Sequence, residues 1–300
     1  DGDGLSDALE WLIHQTDATD PDTDGDGMPD GWEVMHGFNP LSGINANLMA
    51  WWKLDETTGT NITDSSGNNH HGTWRGATSV TSTNGKVSSA AYFDGVDDYV
   101  FVPDSDALDG TSEITISLWV RPHQLDTLAR GLIAKRNAMN QDNAYALTFW
   151  STNMAYVQFD SGNDMFNGPT IFTTNQWYHL ACVFDGAQPA AQRAKLYVDG
   201  VLVKTGYETS ATLTNFASPL TLGTLNVGYA SSFKGQLDDV RLYTSALASN
   251  QVANLYDAFA DADGDGYHNL AEYQAGADPN IFDPAPQIVI TYPVHGGSLP

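Results

Sequence analysis

The 300-residue chain is 41% apolar and 11% aromatic, which excludes a wholly disordered polymer and leaves room for one large domain with appendages. Its 37 acidic residues outweigh 12 basic ones for a formal net charge of −25, which excludes nucleic acid as a partner, because phosphate binding needs a basic surface. All the basic residues lie between Lys53 and Arg241, nearly half of the acidic ones crowd into 1–33 and 257–283, and no apolar run is long enough for membrane insertion.

The chain starts inside an acidic loop. Asp1, Asp3, Gly4, Leu5, Asp7 and Glu10 take positions 3, 5, 6, 7, 9 and 12 of a twelve-residue cation loop whose first position is missing. A complete copy follows: Asp22, Asp24, Asp26, Asp30 and Glu33 at positions 1, 3, 5, 9 and 12, with Gly27 at the sharp turn and Met28 offering its carbonyl. A second complete copy lies near the other end, with Asp261, Asp263, Asp265, Tyr267, Asn269 and Glu272 as ligands and Gly266 at the turn.

Two carboxylates about 4 Å apart repel by on the order of 4 kcal/mol at an effective dielectric near 20, so each loop needs a positive charge. No lysine or arginine precedes Lys53, and oxygen-only ligands select Ca²⁺ over zinc or copper. Short apolar stretches and Asn39-Pro40 or Asp278-Pro279 stops follow the complete loops, so each is half an EF-hand with one or two helical turns after it. These segments resemble thrombospondin type 3 and related bacterial calcium repeats.

From Asn47 to about Tyr243, short β-rich runs alternate with Gly, Asn, Asp and Ser. They are 48–54, 90–93, 99–102, 114–120, 145–150, 155–159, 177–184, 195–198, 201–204, 220–222 and 236–243. Asp199-Gly200 is a type I′ hairpin signal. So many strands in one unit imply a mainly β, two-sheet antiparallel sandwich, with the calcium loops on either side. Only Ser245 to Phe259 reads as helix, with Ser245 as its N-cap.

Several segments in this stretch carry a family resemblance: Trp52 to Glu56, Asp64 to Gly72, Tyr92 to Val100, Ile114 to Val120 and Gly235 to Tyr243. In this order they resemble the laminin G-like jelly roll of the concanavalin A-like lectin/glucanase superfamily. The resulting division is 1–45 calcium repeats, 46–256 jelly roll, 257–283 calcium repeat, and 284–300 a proline-rich linker opening a further β domain. The resemblance implies a carbohydrate-binding or adhesion module of an extracellular protein, and a further cation site to which Asp64 and Asp238 contribute. The alternative is that Asp64 and Asp94 cap turns through their own backbone.

A hydrolase of this superfamily needs paired carboxylates about 5 to 5.5 Å apart. The jelly roll's glutamates, Glu56, Glu113 and Glu208, are not in that setting, and Asp238 and Asp239 are strand neighbours that point to opposite faces. The expectation is a non-catalytic domain.

Alternation gives the candidate ligand face. Trp119 faces away from Ile114, Ile116, Leu118 and Val120; Trp150 faces away from Leu147 and Phe149; Tyr156 and Gln158 from Val157 and Phe159; Trp177 and His179 from Leu180. On one shared sheet these six would form an aromatic strip suited to a sugar ring, and the alternative is that they are core.

Low-affinity calcium loops stay loaded where calcium is about 0.1 to 1 mM or more, outside the cell, and the single Cys182 leaves no disulfide within the chain. The expected protein is a secreted or surface bacterial one that binds a glycan or an extracellular protein. The rival readings are a filament or adhesin stalk that contacts copies of itself, and an accessory domain of a polysaccharide-degrading enzyme.

Overall fold

The computed structural model describes residues 1–24, 29–36, 40–41, 47–109, 111–138, 141–151, 153–159, 165–215, 217–226 and 231–257. The chain divides into two units, Asp1–Tyr256 and Asp257–Pro300. The expected loop at Asp261 to Glu272 and the expected strand after Pro286 lie outside the described residues.

Within 1–41, helix α1 (Asp7–Leu9) continues into a wide turn, Glu10–His14, that Gln15 closes in the left-handed region at φ 62°. Helix α2 spans Asp30–His36. Both follow their acidic loops and stay short, because no amphipathic run extends them.

The sandwich has sixteen strands among the described residues: β1 (Leu48–Trp52), β2 (Asn61–Ile62), β3 (Gly72–Arg75), β4 (Thr81–Asn84), β5 (Ser89–Asp94), β6 (Tyr99–Val102), β7 (Glu113–Pro122), β8 (Arg130–Ala138), β9 (Gln141–Trp150), β10 (Met154–Phe159), β11 (Met165–Asn167), β12 (Tyr178–Asp185), β13 (Ala194–Val198), β14 (Val201–Gly206), β15 (Leu220–Leu222) and β16 (Lys234–Tyr243). One sheet runs β14-β13-β12-β7-β16-β5-β4, with β1 also paired to β16. The other runs β11-β10-β9-β8-β15-β6-β3-β2, and every pairing is antiparallel.

The core lies between the sheets. Ile114, Ile116, Leu118, Val120, Leu180 and Phe184 on one side meet Leu147, Phe149, Val157, Phe159, Leu220 and Leu222 on the other. Phe159 and Phe184 touch across the gap with ring centroids 5.4 Å apart. Each such side chain contributes about 1.5 to 3 kcal/mol on burial. Cys182 belongs to this core, where burial pushes its thiol pKa up and makes it unreactive.

Asp199 and Gly200 both have positive φ, 48° and 74°, and join β13 to β14 as the two-residue turn expected of them. Strands β2, β3, β4, β8 and β11 are additions to the sequence reading. Strand β4 is Thr-Ser-Thr-Asn on a sheet edge and has no apolar residue to signal it, while β8 carries bulges around Gly131 and Lys135 that break its alternation.

The helix is shorter than expected: α3 spans Ser249–Asp257. The amides of Ala246 and Leu247 are taken by Glu113 Oε2 and Thr115 Oγ1 of β7, which pins 245–248 to the end of the sheet and moves the helix start beyond Ser245.

Candidate functional site

The strands that carry the expected aromatic strip divide between the two sheets. Trp119 (β7) and His179 (β12) are cross-strand partners in one sheet, whereas Trp150 (β9), Tyr156 and Gln158 (β10) belong to the other. The single strip is therefore corrected to two separate faces. Trp177 is half-buried just ahead of β12.

Trp119 and His179 are not open to a ligand, being 3% and 1% exposed. Helix α3 lies over them. Tyr256 places its ring 5.7 Å from Trp119 and 6.1 Å from His179, and Val252 and Leu255 of the same helix are buried. His179 Nε2 is 2.8 Å from Ser117 Oγ, and burial, aided by the nearby Arg241 charge, lowers its pKa to about 3. This face carries a neutral imidazole in a closed interior.

The outer face of the second sheet is different. Trp150, Tyr156 and Gln158 are partly exposed there. The Trp150 and Tyr156 rings lie 5.3 Å apart, and Trp150 donates its indole N–H to the Thr127 carbonyl at 3.0 Å, which fixes the ring plane. Cross-strand pairing puts Thr148, Tyr156 and Asn167 in one row and Ala146, Gln158 and Met165 in the next. Asn167 also reaches the sulfur of Met154 at 3.2 Å. Alternation in β10 could find Tyr156 and Gln158. Asn167 could not be found, since β11 is three residues long and carries no strand signal. This surface combines an aromatic pair with hydroxyl and amide groups, chemistry that suits a sugar.

The acidic loops form a second candidate site. Oxygens of Asp1, Asp3 and Glu10 lie within 4.8 Å of one another. Glu10 is 1% exposed, and neither carboxylate oxygen has a hydrogen-bond partner. Burial, then the charges of Asp3, Asp7 and Asp30, raise its pKa. A buried carboxylate among like charges is costly unless a cation joins it, so the residues present fit the divalent ion that the loop spacing implies.

Gly4 adopts φ 106°, as its position at the turn requires, and Leu5 donates its amide to Asp3 Oδ1. Asp7 begins α1 and is exposed. In the second loop Asp30 and Glu33 are fully buried, and Asp30 accepts from Thr23 through both oxygens. Asp22 and Asp24 are described and half-buried, whereas Asp26 and Met28 lie outside the described residues, as do Asp261, Asp263, Asp265, Tyr267, Asn269 and Glu272.

Asp64 and Asp238 each receive backbone amides. Asp64 accepts from Trp51, Ser66 and His70, and burial is outweighed by these bonds so that its pKa falls. Asp94 likewise accepts from Val96 and Asp97. Asp238 is fully buried and accepts from Lys86 and Val87 through Oδ2. Asp64 and Asp94 thus make turn-capping bonds to neighbouring backbone, and oxygens of Asp94, Asp97 and Asp98 also lie within 4.8 Å of one another.

Comparison with known proteins agrees with this architecture. Residues 93–253 match the concanavalin A-like lectin/glucanases superfamily as a laminin G-type domain, and 1–21, 22–43 and 261–280 match the bacterial TSP3 repeat. No curated protein shows significant similarity to the chain.

Among solved structures, domain 4 of AbnA, an extracellular arabinanase of Geobacillus stearothermophilus in complex with arabinotriose, is 26% identical. That match has a TM-score of 0.55 and covers 70% of this chain and 98% of the other. The binding domain of botulinum neurotoxin DC in complex with SialylT superposes at 0.55 with 14% identity, over 73% of this chain and 53% of the other. A Trypanosoma rangeli sialidase superposes at 0.51 with 14% identity, over 70% and 32%. The last two show the fold alone. With more than half of its length matched, the chain belongs to the concanavalin A-like lectin/glucanase superfamily, as a laminin G-type domain framed by bacterial TSP3 repeats.

Proposed function

We propose that this protein is a non-catalytic, calcium-stabilised glycan-binding module of a larger secreted or surface protein. The observation that carries the reading is the partly exposed Trp150–Tyr156 pair on the outer face of the β9–β10–β11 sheet, edged by Gln158 and Asn167. An arabinotriose complex of a similar domain is in keeping with it.

The glutamates support the absence of catalysis, because each is engaged away from this face: Glu56 with the Thr63 amide, Glu113 with Ala246, and Glu208 buried after β14. The experiment is a glycan array at millimolar calcium with the wild type, Trp150→Ala and Tyr156→Ala. Glycans bound by the wild type and lost in both variants support the proposal, and an array with no bound glycan overturns it.

A second reading, a stalk or filament segment, draws on the run after the first acidic loop, where Trp11, Leu12 and Ile13 are 78%, 80% and 64% exposed. Such a patch on an acidic chain is an interaction surface. Sedimentation at increasing concentration tests self-association. Assemblies that Trp11→Ser with Leu12→Ser dissolves support this reading, and monomers throughout oppose it.

A further inference from the structure

On the opposite sheet from the Trp150–Tyr156 face, the start of β1 and the turn after Asp64 enclose an open cleft of about 430 Å³, within the range of small-molecule sites. Asn47, Leu48, Trp51, Ser65, Ser66 and Asn68 line it. Its walls are held firmly. Asp64 gathers the amides of Trp51, Ser66 and His70, and the Ser66 hydroxyl donates to the Met49 carbonyl. The side-chain amide of Asn68 donates to the carbonyls of Leu48 and Met49. Because both donations leave from its nitrogen, its oxygen stays available as an acceptor.

Trp51 is fixed from behind. Its indole N–H donates to Asp239 Oδ1 at 2.5 Å, and the Arg241 guanidinium lies 4.4 Å from the ring centroid. The Lys53 ammonium also lies 4.4 Å from that centroid. Arg241 is buried and paired with Asp239, but Lys53 is exposed and forms no ion pair among the described residues. With two cations on its ring, Trp51 serves less as a stacking platform than as a seat for positive charge, and the Lys53 ammonium reaches the cleft only through this ring, which forms part of its wall. The groups left for a ligand are the Ser65 hydroxyl and the Asn68 amide oxygen in the cleft and the Lys53 ammonium on the Trp51 ring beside it.

We infer that this cleft binds an acidic sugar, with its hydroxyls on Ser65 and Asn68 and its carboxylate on Lys53. The site is separate from the Trp150–Tyr156 face and does not depend on the function proposed for it. A neutral ring would use the hydroxyl and amide groups alone, whereas a carboxylate adds a charge-assisted contact to Lys53.

The test is titration of the full chain at millimolar calcium with tri-galacturonate and, in parallel, its methyl ester. The proteins are the wild type, Lys53→Met, the cleft-filling Ser65→Tyr, and Trp150→Ala. Tri-galacturonate is expected to bind the wild type and Trp150→Ala alike. Lys53→Met and the ester should each lose about tenfold, the effect of one charge-assisted contact. Ser65→Tyr should abolish binding, and circular dichroism checks its fold.

The inference is overturned if the wild type does not bind the acid, if the ester binds equally well, or if Lys53→Met and folded Ser65→Tyr behave as wild type. Tri-galacturonate binding lost only in Trp150→Ala would also overturn it, while leaving the function proposed above standing.

Discussion

The backbone N–H of Gly31 donates to Oδ2 of Asp3 at 2.7 Å, so the helix after the second acidic loop is built onto a carboxylate of the first. A Cβ at residue 31 would collide with the Asp3 carbonyl oxygen. Gly31→Ala is therefore expected to cost about 1 to 3 kcal/mol of local stability by overpacking and to weaken calcium binding at the first loop. Calcium titration by calorimetry checks this, and an affinity equal to wild type would contradict it.

Calcium removal should loosen the repeats before the sandwich. At free calcium tenfold above the dissociation constant, each loaded loop adds about 1.4 kcal/mol. Limited proteolysis in EDTA is expected to cut within 1–43 while fragments covering 47–257 persist. A cutting pattern unaffected by EDTA would show that no ion holds Glu10, whose carboxylate is buried without a hydrogen bond.

Helix α3 should behave as a fixed cover. Its own Leu255 is 2% exposed, and Leu255→Ala is expected to cost about 2 to 5 kcal/mol. Partial release of the helix should uncover Trp119 and shift tryptophan emission to the red, a shift that a Trp119→Phe background abolishes. An unchanged spectrum in Leu255→Ala would place the cost elsewhere.

His179 gives a pH dependence. Its folded pKa lies at about 3, below the ordinary 6.5, because the buried ring resists protonation. The unfolded chain therefore binds the proton first, and the stability that His179 contributes is complete above pH 6.5 and lost progressively as pH falls toward 3. The slope in this window approaches about 1.4 kcal/mol per pH unit. Urea unfolding at pH 6.5 and pH 5 should show the loss in the wild type and a smaller one in His179→Gln. Equal losses would assign the effect to His70, the other imidazole that burial holds below 6.5.

Much of the fold was legible because one side of each main strand is apolar at period two. The alternation of Ile114 to Val120 and of Val157 with Phe159 places those residues in the core that they occupy. Alternation alone does not say which sheet a strand joins or what covers its outer side. Trp119 and Trp150 therefore looked equivalent, and only the pairing of β7 with β12 and of β9 with β10 separates them.

The cover over Trp119 depends on Tyr256, more than a hundred residues away, and no local pattern reports such a contact. Lys135 was hidden for a related reason. It is fully buried in β8 and bound to Asp104 and Asp109 at 2.6 and 2.9 Å, a pairing that sequence spacing does not reveal.

The central claim concerns where the sugar sits, and methionine methyl NMR reads it directly. The Met154 sulfur lies 3.9 Å from the Tyr156 hydroxyl on the outer face, whereas Met49 is buried in the core. Titration of ¹³C-methyl-labelled protein with the glycan best bound on the array is expected to shift the Met154 signal and leave Met49 in place. Saturable binding that leaves the Met154 signal unmoved would contradict the account.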